Sequence, residues 1–409
     1  MNARALGIAL LAAAFATALA CIGCTPRAPQ RTAVEFWQPF EASRYDSVIA
    51  RFERANPTLT VRVHVIAPGA MRDSIAAALA SGALPDLCVL DSTAMPALLE
   101  HGDLSDWSAG VADLRDSLAG WELCSVGDAL YGMPWLLETH LLYIDRDALA
   151  RAKVDPSVAF ESWESIERFA TQWKQRRGSP GWALPTNDLY PVATAAQLSV
   201  FDPVAAADTA AGSEDRRPMV SGVQLLARLR PYCLAANQDS IESAFLSGKL
   251  PCCIASSRAM PRFLDARKSG VEARVLPPPT GPSTKRYLVG SGLCLASFNR
   301  SLHKEAALRF ARSLVTTPRE DQPVSPSHGW APSSRSGASS SGVDAALART
   351  WFEPREPMNL DGGPQSAARR SEDWQRRRRA YEQVFHDVIF LGRPARASVD
   401  SVCAEEDQC

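Results

Sequence analysis

The chain has 409 residues, more than one hydrophobic core usually serves, so we expect two lobes or domains. Its 44 Lys and Arg residues nearly balance its 45 Asp and Glu residues, and the formal net charge is -1. A nearly neutral chain has no overall electrostatic field that would attract nucleic acid, so we expect no nucleic-acid partner.

The first residues have the three parts of a secretory signal. Arg4 precedes the uncharged apolar run GIALLAAAFATALA, which ends in small residues before Cys21. We therefore predict a signal peptide over residues 1–20 and a mature protein in the periplasm, or more generally outside the cytoplasm. No later stretch of the sequence is apolar and long enough to predict a membrane span.

The segment around Cys21 resembles the lipobox of bacterial lipoproteins, in which a Cys after small or apolar residues takes up lipid before cleavage. Cys24, which follows a Gly, is a second candidate, and a plain secretory signal with incidental cysteines is the alternative. Residues 21–32 are polar and contain Pro, which is typical of a tether. The resemblance implies a lipid anchor to a bacterial membrane at Cys21 or Cys24.

The remaining cysteines are scattered along the chain, and only Cys252 and Cys253 lie close together in sequence. A zinc site normally has paired thiolates about two residues apart, so we expect no metal site and no cofactor. Disulfides are permitted outside the cytoplasm, but buried free thiols suit Cys88 and Cys294 equally well, because both lie in apolar runs.

The first third of the mature chain alternates strand and helix patterns. AVEFW is an apolar run typical of a buried strand, and a helical pattern with Tyr45, Val48 and Phe52 on one face follows it. TVRVHVI alternates as strands do, SIAAALASG favours a helix, and LPDLCVLD favours a buried strand. This order predicts the α/β class, with a mostly parallel sheet and helices on its faces.

Helix and strand patterns return in the second half. MVSGVQLLARLRPYC, IESAFLSGK and HKEAALRFARSLVTT predict helices, whereas PCCIAS, VEARVL and SGLCLAS predict strands. A last helix is predicted over SEDWQRRRRAYEQVFHDVIF, in which Val384, Phe385 and Val388 have core spacing. Its four consecutive arginines cover more than one helix face, which indicates a solvated surface.

The order of these motifs resembles that of family 1 extracellular solute-binding proteins, the lipid-anchored receptors of bacterial ABC importers that mostly take up sugars. The resemblance covers most of the mature chain. The matching segments are VEFWQPFE, VIARFERANPTLTVRV, LASGALPDLCVLDST, HGDLSDW, DALYGMPWLLETHLLYIDRDAL, FESWESIERFA, AFLSGKLPCCIAS, VLPPPTGP, GSGLCLAS and HKEAALRFARSL.

The resemblance implies a type 2 periplasmic-binding-protein fold, in which two α/β lobes are joined by a hinge and hold a ligand in the cleft between them. It places the first lobe over 33–141 and 288–328, the second over 142–287 and 329–402, and a tail over 403–409. Ligand contacts from both lobes would stabilise a closed form, and the transporter would recognise that closed form.

The function implied is that of a receptor that captures a carbohydrate or sugar-like solute and delivers it to ABC permease subunits. A binding protein coupled to a membrane sensor is an alternative, and so is an extracellular glycan hydrolase. We expect no enzyme activity, because the sequence has no HExxH motif, no nucleophile elbow and no phosphate-binding glycine loop.

The first candidate ligand-binding residues lie in YGMPWLLETHLLYIDRD, which the resemblance places at the cleft wall and the crossing to the second lobe. Trp135 can offer a flat face to the C–H groups of a sugar ring, while Glu138 or Thr139 can bond its hydroxyls. A core position beneath the hinge is the alternative for Trp135.

Further candidates follow predicted strands. Trp37 and Gln38 come at the end of the first strand, and Asp91 and Ser92 at the end of the third, where open parallel sheets place ligands. Asp91 can instead cap a helix. Ser291 matches the small-residue segment of the family at the second crossing.

Trp182, Trp330 and Arg335 are candidates for the second lobe or its rim. The sequence departs from the family pattern after PCCIAS, where Gly and Trp are common and Ser257 and Arg258 stand instead. Arg258 is included among the predicted site residues. Because a guanidinium favours planar anions, an acidic or phosphorylated sugar is the alternative to a neutral one.

Overall fold

The structure is a computed structural model in which the described residues are 31–126, 128–187, 217–267, 270–274, 276, 290–318, 321–324, 329–334 and 382–405. Within these ranges, helices are mixed with one sheet of eight strands and two sheets of two strands. The predicted α/β class is therefore confirmed. The predicted signal peptide, Cys21 and Cys24 lie outside the described residues.

The amino-terminal part alternates strands and helices, as predicted. Its elements are β1 (Thr32–Gln38), α1 (Asp46–Ala55), β2 (Leu59–Val65), α2 (Met71–Ser81), β3 (Leu87–Asp91) and α3 (Met95–Glu100). β1 pairs in parallel with both β2 and β3, as predicted, but the other pairings of the eight-stranded sheet are antiparallel, so the prediction of a mostly parallel sheet is wrong for the sheet as a whole. Tyr45, Val48 and Phe52 are buried against this sheet region, as their spacing predicts.

The predicted elements of the second half are found wherever the structure describes them. In chain order the elements are β4 (Ser125–Val126), β5 (Ala129–Leu130), β6 (Met133–Asp145), α4 (Arg146–Arg151), α5 (Pro156–Ala159), α6 (Trp163–Arg177), β7 (Trp182–Pro185), α7 (Arg217–Leu229), β8 (Cys233–Ala236), α8 (Gln238–Leu246), β9 (Cys252–Ser256), α9 (Met260–Arg267), β10 (Val271–Arg274), β11 (Gly290–Ala296), α10 (Lys304–Val315), β12 (Ala331–Pro332), α11 (382–389) and α12 (Ala395–Glu405).

The 13-residue strand β6 is shared by two groups of strands. Its first half pairs antiparallel with β11 on one side and with β12, while β11 in turn pairs with β3. Its second half pairs antiparallel with β9 and β10. β6 therefore passes from a first lobe, built on β1, β2, β3, β11 and β12, into a second lobe that contains β9 and β10.

Each lobe has its own apolar core, and a third cluster follows β6 between them. The core of the first lobe contains Phe36 and Phe310, and that of the second contains Trp163 and Phe385. The third cluster includes Leu137, Leu141 and Tyr143 of β6, together with residues from both lobes. Because this packing is continuous, the crossing strand is held firmly where the lobes meet.

The helix α6 shows how local sequence sets element ends in the second lobe. Ser162 caps its start, since its hydroxyl oxygen accepts a hydrogen bond of 3.1 Å from the N–H of Ser165. Gly178 ends it in the left-handed region, with φ of 72°. The family-like segment FESWESIERFA thus forms a capped helix start, as its sequence suggests.

Six described cysteines are buried free thiols, and they include Cys88 and Cys294, which agrees with the free-thiol alternative. In the described ranges, no helix is long and apolar enough to cross a bilayer.

Candidate ligand-binding site

Several predicted site residues meet where β6 crosses between the lobes. Ser291 of β11 lies directly opposite Glu138 of β6 in the antiparallel register. Asp91, the exposed last residue of β3, lies opposite Leu293, two residues further along β11. Three chain segments that are distant in sequence thus bring an Asp, a Ser and a Glu to one place.

Glu138 is the central polar residue of this group, and its side chain is 20% exposed. The hydroxyl of Ser291 donates a hydrogen bond of 2.8 Å to its Oε1. Oε2 lies 3.8 Å from Nε of Arg258, which is an ion-pair distance but longer than a hydrogen bond. The carboxylate therefore keeps capacity to accept further hydrogen bonds.

Burial raises the pKa of Glu138 above its usual range, and this effect outweighs the hydrogen bond from Ser291 and the charge of Arg258, which lower the pKa. The neighbouring carboxylate of Asp91 raises the pKa further. A ligand that donates hydrogen bonds to Glu138 would favour its ionised form.

Arg258 reaches the same place from the second lobe, just after β9. Its guanidinium carbon lies 5.1 Å from the ring centre of Trp330, a cation–π arrangement, and its side chain remains 60% exposed. Arg258 therefore presents a cation to solvent between an aromatic ring and a carboxylate.

Gly329 fixes the relative position of Arg258 and Trp330. Its φ is +79°, and its carbonyl accepts a hydrogen bond of 2.7 Å from the hydroxyl of Ser257. A Cβ at Gly329 would lie only 2.3 Å from the carbonyl oxygen of Ser257. The two segments are in such close contact that only glycine fits there.

Two other predicted residues, Ser92 and Thr139, are buried and support the site through the backbone. The hydroxyl oxygen of Ser92 accepts from the N–H of Gly292 at 3.3 Å, which fixes β11 beside the end of β3. The N–H of Thr139 donates to the hydroxyl of Ser257 at 3.4 Å, which connects β6 to the turn after β9.

Trp135 is not part of this group. It is 1% exposed, and its ring packs against Phe40 and Tyr45, with centroid distances of 6.0 and 6.2 Å. The structure places it in the core of the first lobe, which was the alternative.

Trp182 and Gln38 are likewise buried away from the group. Trp182 is 0% exposed and packs against Phe160 and Trp163 in the second lobe. The Gln38 amide is fully buried and turned back on its own chain, donating to the carbonyl of Phe40 and accepting from its N–H. In this conformation, neither offers a contact surface to a ligand.

Trp37 is half-buried on β1 and packs beside the third apolar cluster. Its strand is separated from β11 by β3, so it lies in the first lobe but is not one of the crossing residues. Arg335 lies outside the described residues.

The structure adds residues of the second lobe that the sequence did not indicate. Arg262 pairs with Glu242 at 2.9 Å, and Gln238 donates to the carbonyl of Ile254 at 3.1 Å. Gln238 also donates to Glu242 at 3.3 Å, so the three side chains form one network that contacts β9 at Ile254. A polar network from two helices has no signature in local sequence, because each residue is ordinary on a helix surface.

The side chains of this group can bind a polar solute. In the part of the chain that the structure describes, no group of three or more His, Cys, Asp or Glu side chains could hold a metal ion. The group offers carboxylate acceptors, a guanidinium donor and a tryptophan beneath it, which are the means of recognising a hydroxyl-rich solute.

The family model of the bacterial extracellular solute-binding proteins matches residues 47–345, well over half of the chain, and the chain belongs to this family. It is therefore a solute-binding protein of an extracytoplasmic compartment. No curated protein sequence gives a match.

Solved structures share the fold over almost the whole chain. The sugar-binding protein MalE from Xanthomonas citri is 20% identical, with a TM-score of 0.71, over 92% of this chain and 96% of its own. The GacH receptor of Streptomyces glaucescens, solved unliganded and with acarbose, is 15% identical, with a TM-score of 0.68, over 92% and 98%.

UgpB from Mycobacterium tuberculosis, solved in complex with glycerophosphocholine, is 17% identical, with a TM-score of 0.66, over 91% of this chain and 97% of its own. At such identities the likeness establishes the two-lobed fold alone. The predicted fold and the predicted family are thus confirmed.

Proposed function

We propose that this protein is the solute receptor of a bacterial ABC importer and that it captures a neutral, hydroxyl-rich solute of the saccharide class. The observation that carries the proposal is the group of Glu138, Ser291, Arg258 and Trp330 at the point where β6 crosses between the lobes. Solutes of sugar type are also bound by structural neighbours such as MalE and GacH.

The position of the group supports binding coupled to closure. Glu138 and Ser291 belong to strands of the first lobe, while Arg258 follows a strand of the second. A solute that contacts both sides gains more contacts when the lobes approach, so its binding favours the closed form. A permease can then distinguish loaded from empty receptor.

The charges of the group favour an uncharged solute over an anionic one. Arg258 already has Glu138 at 3.8 Å and is stacked on Trp330. With Asp91 close enough to affect the titration of Glu138, carboxylates outnumber the single guanidinium in this group. An acidic or phosphorylated sugar would meet two like charges, which costs affinity.

The finer parts of the proposal concern the chain ends and the lobe limits. We propose anchoring through lipid on Cys21, with Cys24 as the alternative, and a first lobe over 33–141 and 288–328. The second lobe would take 142–287 and 329–402, apart from Trp330 and the short strand β12, which lie with the first lobe, and the tail would follow. A receptor that signals to a membrane sensor would use the same cleft, and neighbouring permease genes would favour transport.

Binding is tested by thermal shift of the mature protein against neutral mono- and oligosaccharides, sugar acids, sugar phosphates and amino sugars. Ligand at a hundredfold excess over its Kd should stabilise the fold by about 2.7 kcal/mol. We expect the largest shift with a neutral saccharide. A shift with anionic solutes alone would contradict the charge argument, and no shift with any saccharide would contradict the ligand class.

A pair of variants assigns the binding to this group. Arg258→Ala should weaken the binding of a hit about tenfold to a hundredfold, because it removes a charged hydrogen-bond donor. Arg396→Ala removes an arginine of α12 that is exposed and outside the group. Equal affinity of Arg258→Ala and wild type, measured by calorimetry on folded protein, would exclude Arg258 from the site.

A further inference from the structure

A second concave surface lies in the second lobe, outside the group of site residues. It is a groove of about 320 Å³ between the connection from α4 to α5 and one face of α6. Its volume is at the lower end of the range for small-molecule pockets. It shares no residue with the group around Glu138.

The rim of the groove is strongly basic. Lys153, Arg168, Arg176 and Arg177 line it, and Asp155 is the only acidic residue that does so. The Asp155 carboxylate caps α5, accepting from the N–H of Ser157 at 2.8 Å. It is therefore occupied with the backbone rather than with the cations.

Among the described residues, the four cations lack direct carboxylate partners, although Ser165, which accepts from Arg168, donates in turn to Glu161. Arg168 donates to the hydroxyl of Ser165 at 2.7 Å, and Arg177 lies 5.5 Å from the ring centre of Trp173. Throughout the described ranges, none of the four forms a salt bridge to an acidic side chain. Four cations around one groove repel each other unless an anion is bound between them.

The floor of the groove is apolar and aromatic. Phe169 and Trp173 line it, and Val158 on its edge is 58% exposed. The indole N–H of Trp173 is buried and has no hydrogen-bond acceptor among the described residues. The groove therefore combines a cationic rim with apolar surface for an organic group.

The backbone at Lys153 adopts a left-handed conformation. Lys153 has φ of 55°, and it is the only non-glycine residue with positive φ in the described ranges. Lys153 lies just after the end of α4, a position where glycine is common because it adopts this conformation without cost. The chain instead places an ammonium group on the rim there.

We propose that this groove is a second binding site, which takes a phosphoryl group carried on an organic body. Guanidinium groups offer paired N–H donors that match phosphoryl oxygens, and several cations suit an anion of more than one charge. The apolar floor contacts the organic part. The phosphoryl group belongs either to a free phosphorylated molecule or to a phospholipid headgroup.

The test uses the mature protein with two probes, inorganic pyrophosphate followed by calorimetry and vesicles of phosphatidylglycerol or phosphatidylcholine followed by co-sedimentation. The groove variant is Lys153→Gly with Arg176→Gln. Gly suits the left-handed backbone at 153, so the variant should fold. The control is Lys174→Gln with Arg396→Gln, which also removes two positive charges, one of them from the same last turn of α6, but both outside the groove.

We expect at least a tenfold loss of affinity in the groove variant and less than a twofold change in the control. A loss of pyrophosphate affinity in the groove variant identifies a soluble ligand. A loss of affinity for phosphatidylglycerol vesicles alone identifies the headgroup. Equal losses in variant and control would mean that only net charge matters, and that result would overturn the proposal. The absence of binding by both probes would overturn it as well.

Discussion

Glu138 shows at the residue scale how burial sets the charge behaviour of the site. Its carboxyl group lies between Ser291 and Arg258, yet burial dominates and raises its pKa. Since Arg258 is largely exposed, its attraction is screened by solvent and offsets little of the cost of burying a charge. Burying the ionised Glu138 therefore costs stability, and the binding role proposed for it would account for that cost.

The first prediction follows from the sign of this shift. A carboxyl whose pKa is raised on folding contributes stability that is fully present below the unfolded value, about 4.3, and is lost as pH rises through the folded value. Glu138→Gln stays neutral and has no such loss. Its stability relative to wild type should therefore increase from pH 4 to pH 8.

Urea unfolding at several pH values between 4 and 8 measures this difference. The exposed Glu305, changed to Gln, controls for the loss of one negative charge without burial. Parallel pH profiles of wild type and Glu138→Gln would show that the burial of Glu138 does not affect its titration. The same variant should bind the solute more weakly at pH 7, because a neutral amide replaces a charged acceptor.

The sequence alone could not show which tryptophans lie at the candidate site. Trp135 and Trp330 were both candidates for the site. The structure buries both rings in the core of the first lobe, with Trp135 1% and Trp330 7% exposed, but Trp330 also lies beneath Arg258. Which face of a strand or turn a ring takes depends on distant partners, and local sequence does not contain them.

At the scale of elements, periodic patterns predict strands and helices well, whereas pairing is harder. The parallel trio of β1, β2 and β3 follows from the alternation of strands and helices. The antiparallel return of β11 and β12 to β6 does not, since these strands come from far along the chain. The resemblance to a known family, rather than periodicity, indicated the crossing strands.

The contact between Gly329 and Ser257 gives a prediction for these elements. Gly329→Ala would strain a left-handed backbone and force a Cβ to within 2.3 Å of the carbonyl oxygen of Ser257. Gly82→Ala is the matched control, because Gly82 also has positive φ but no atom within 4 Å of its Cβ position. We expect Gly329→Ala to lose about 1–3 kcal/mol more stability than Gly82→Ala.

Urea denaturation of both variants measures the difference. Equal losses would mean that the segments can separate at no cost, and the position of Trp330 under Arg258 would then not depend on Gly329. Since the clash separates Arg258 from Trp330, the Gly329→Ala variant should also bind the solute more weakly than Gly82→Ala does.

For the whole molecule, the continuous apolar packing along β6 limits how the lobes can move. Leu137, Leu141 and Tyr143 keep contacts in one cluster from lobe to lobe, so separation of the lobes would expose apolar surface. Rotation about the crossing strands keeps these contacts. We therefore expect closure to be a hinge motion about β6 and β11, with both cores unchanged.

The last prediction tests that motion in solution. A compact chain of this length has a radius of gyration of about 22 Å, and an open two-lobed molecule should exceed that value. Saturating solute should reduce the radius of gyration, measured by small-angle X-ray scattering, towards the compact value, because contacts from both lobes favour the closed form. Arg258→Ala, at a solute concentration that saturates only wild type, should stay open. The radius of wild type could instead stay unchanged when calorimetry shows full binding. That result would mean that the solute binds within one lobe, and the group at the crossing would then position the strands without closing on the solute.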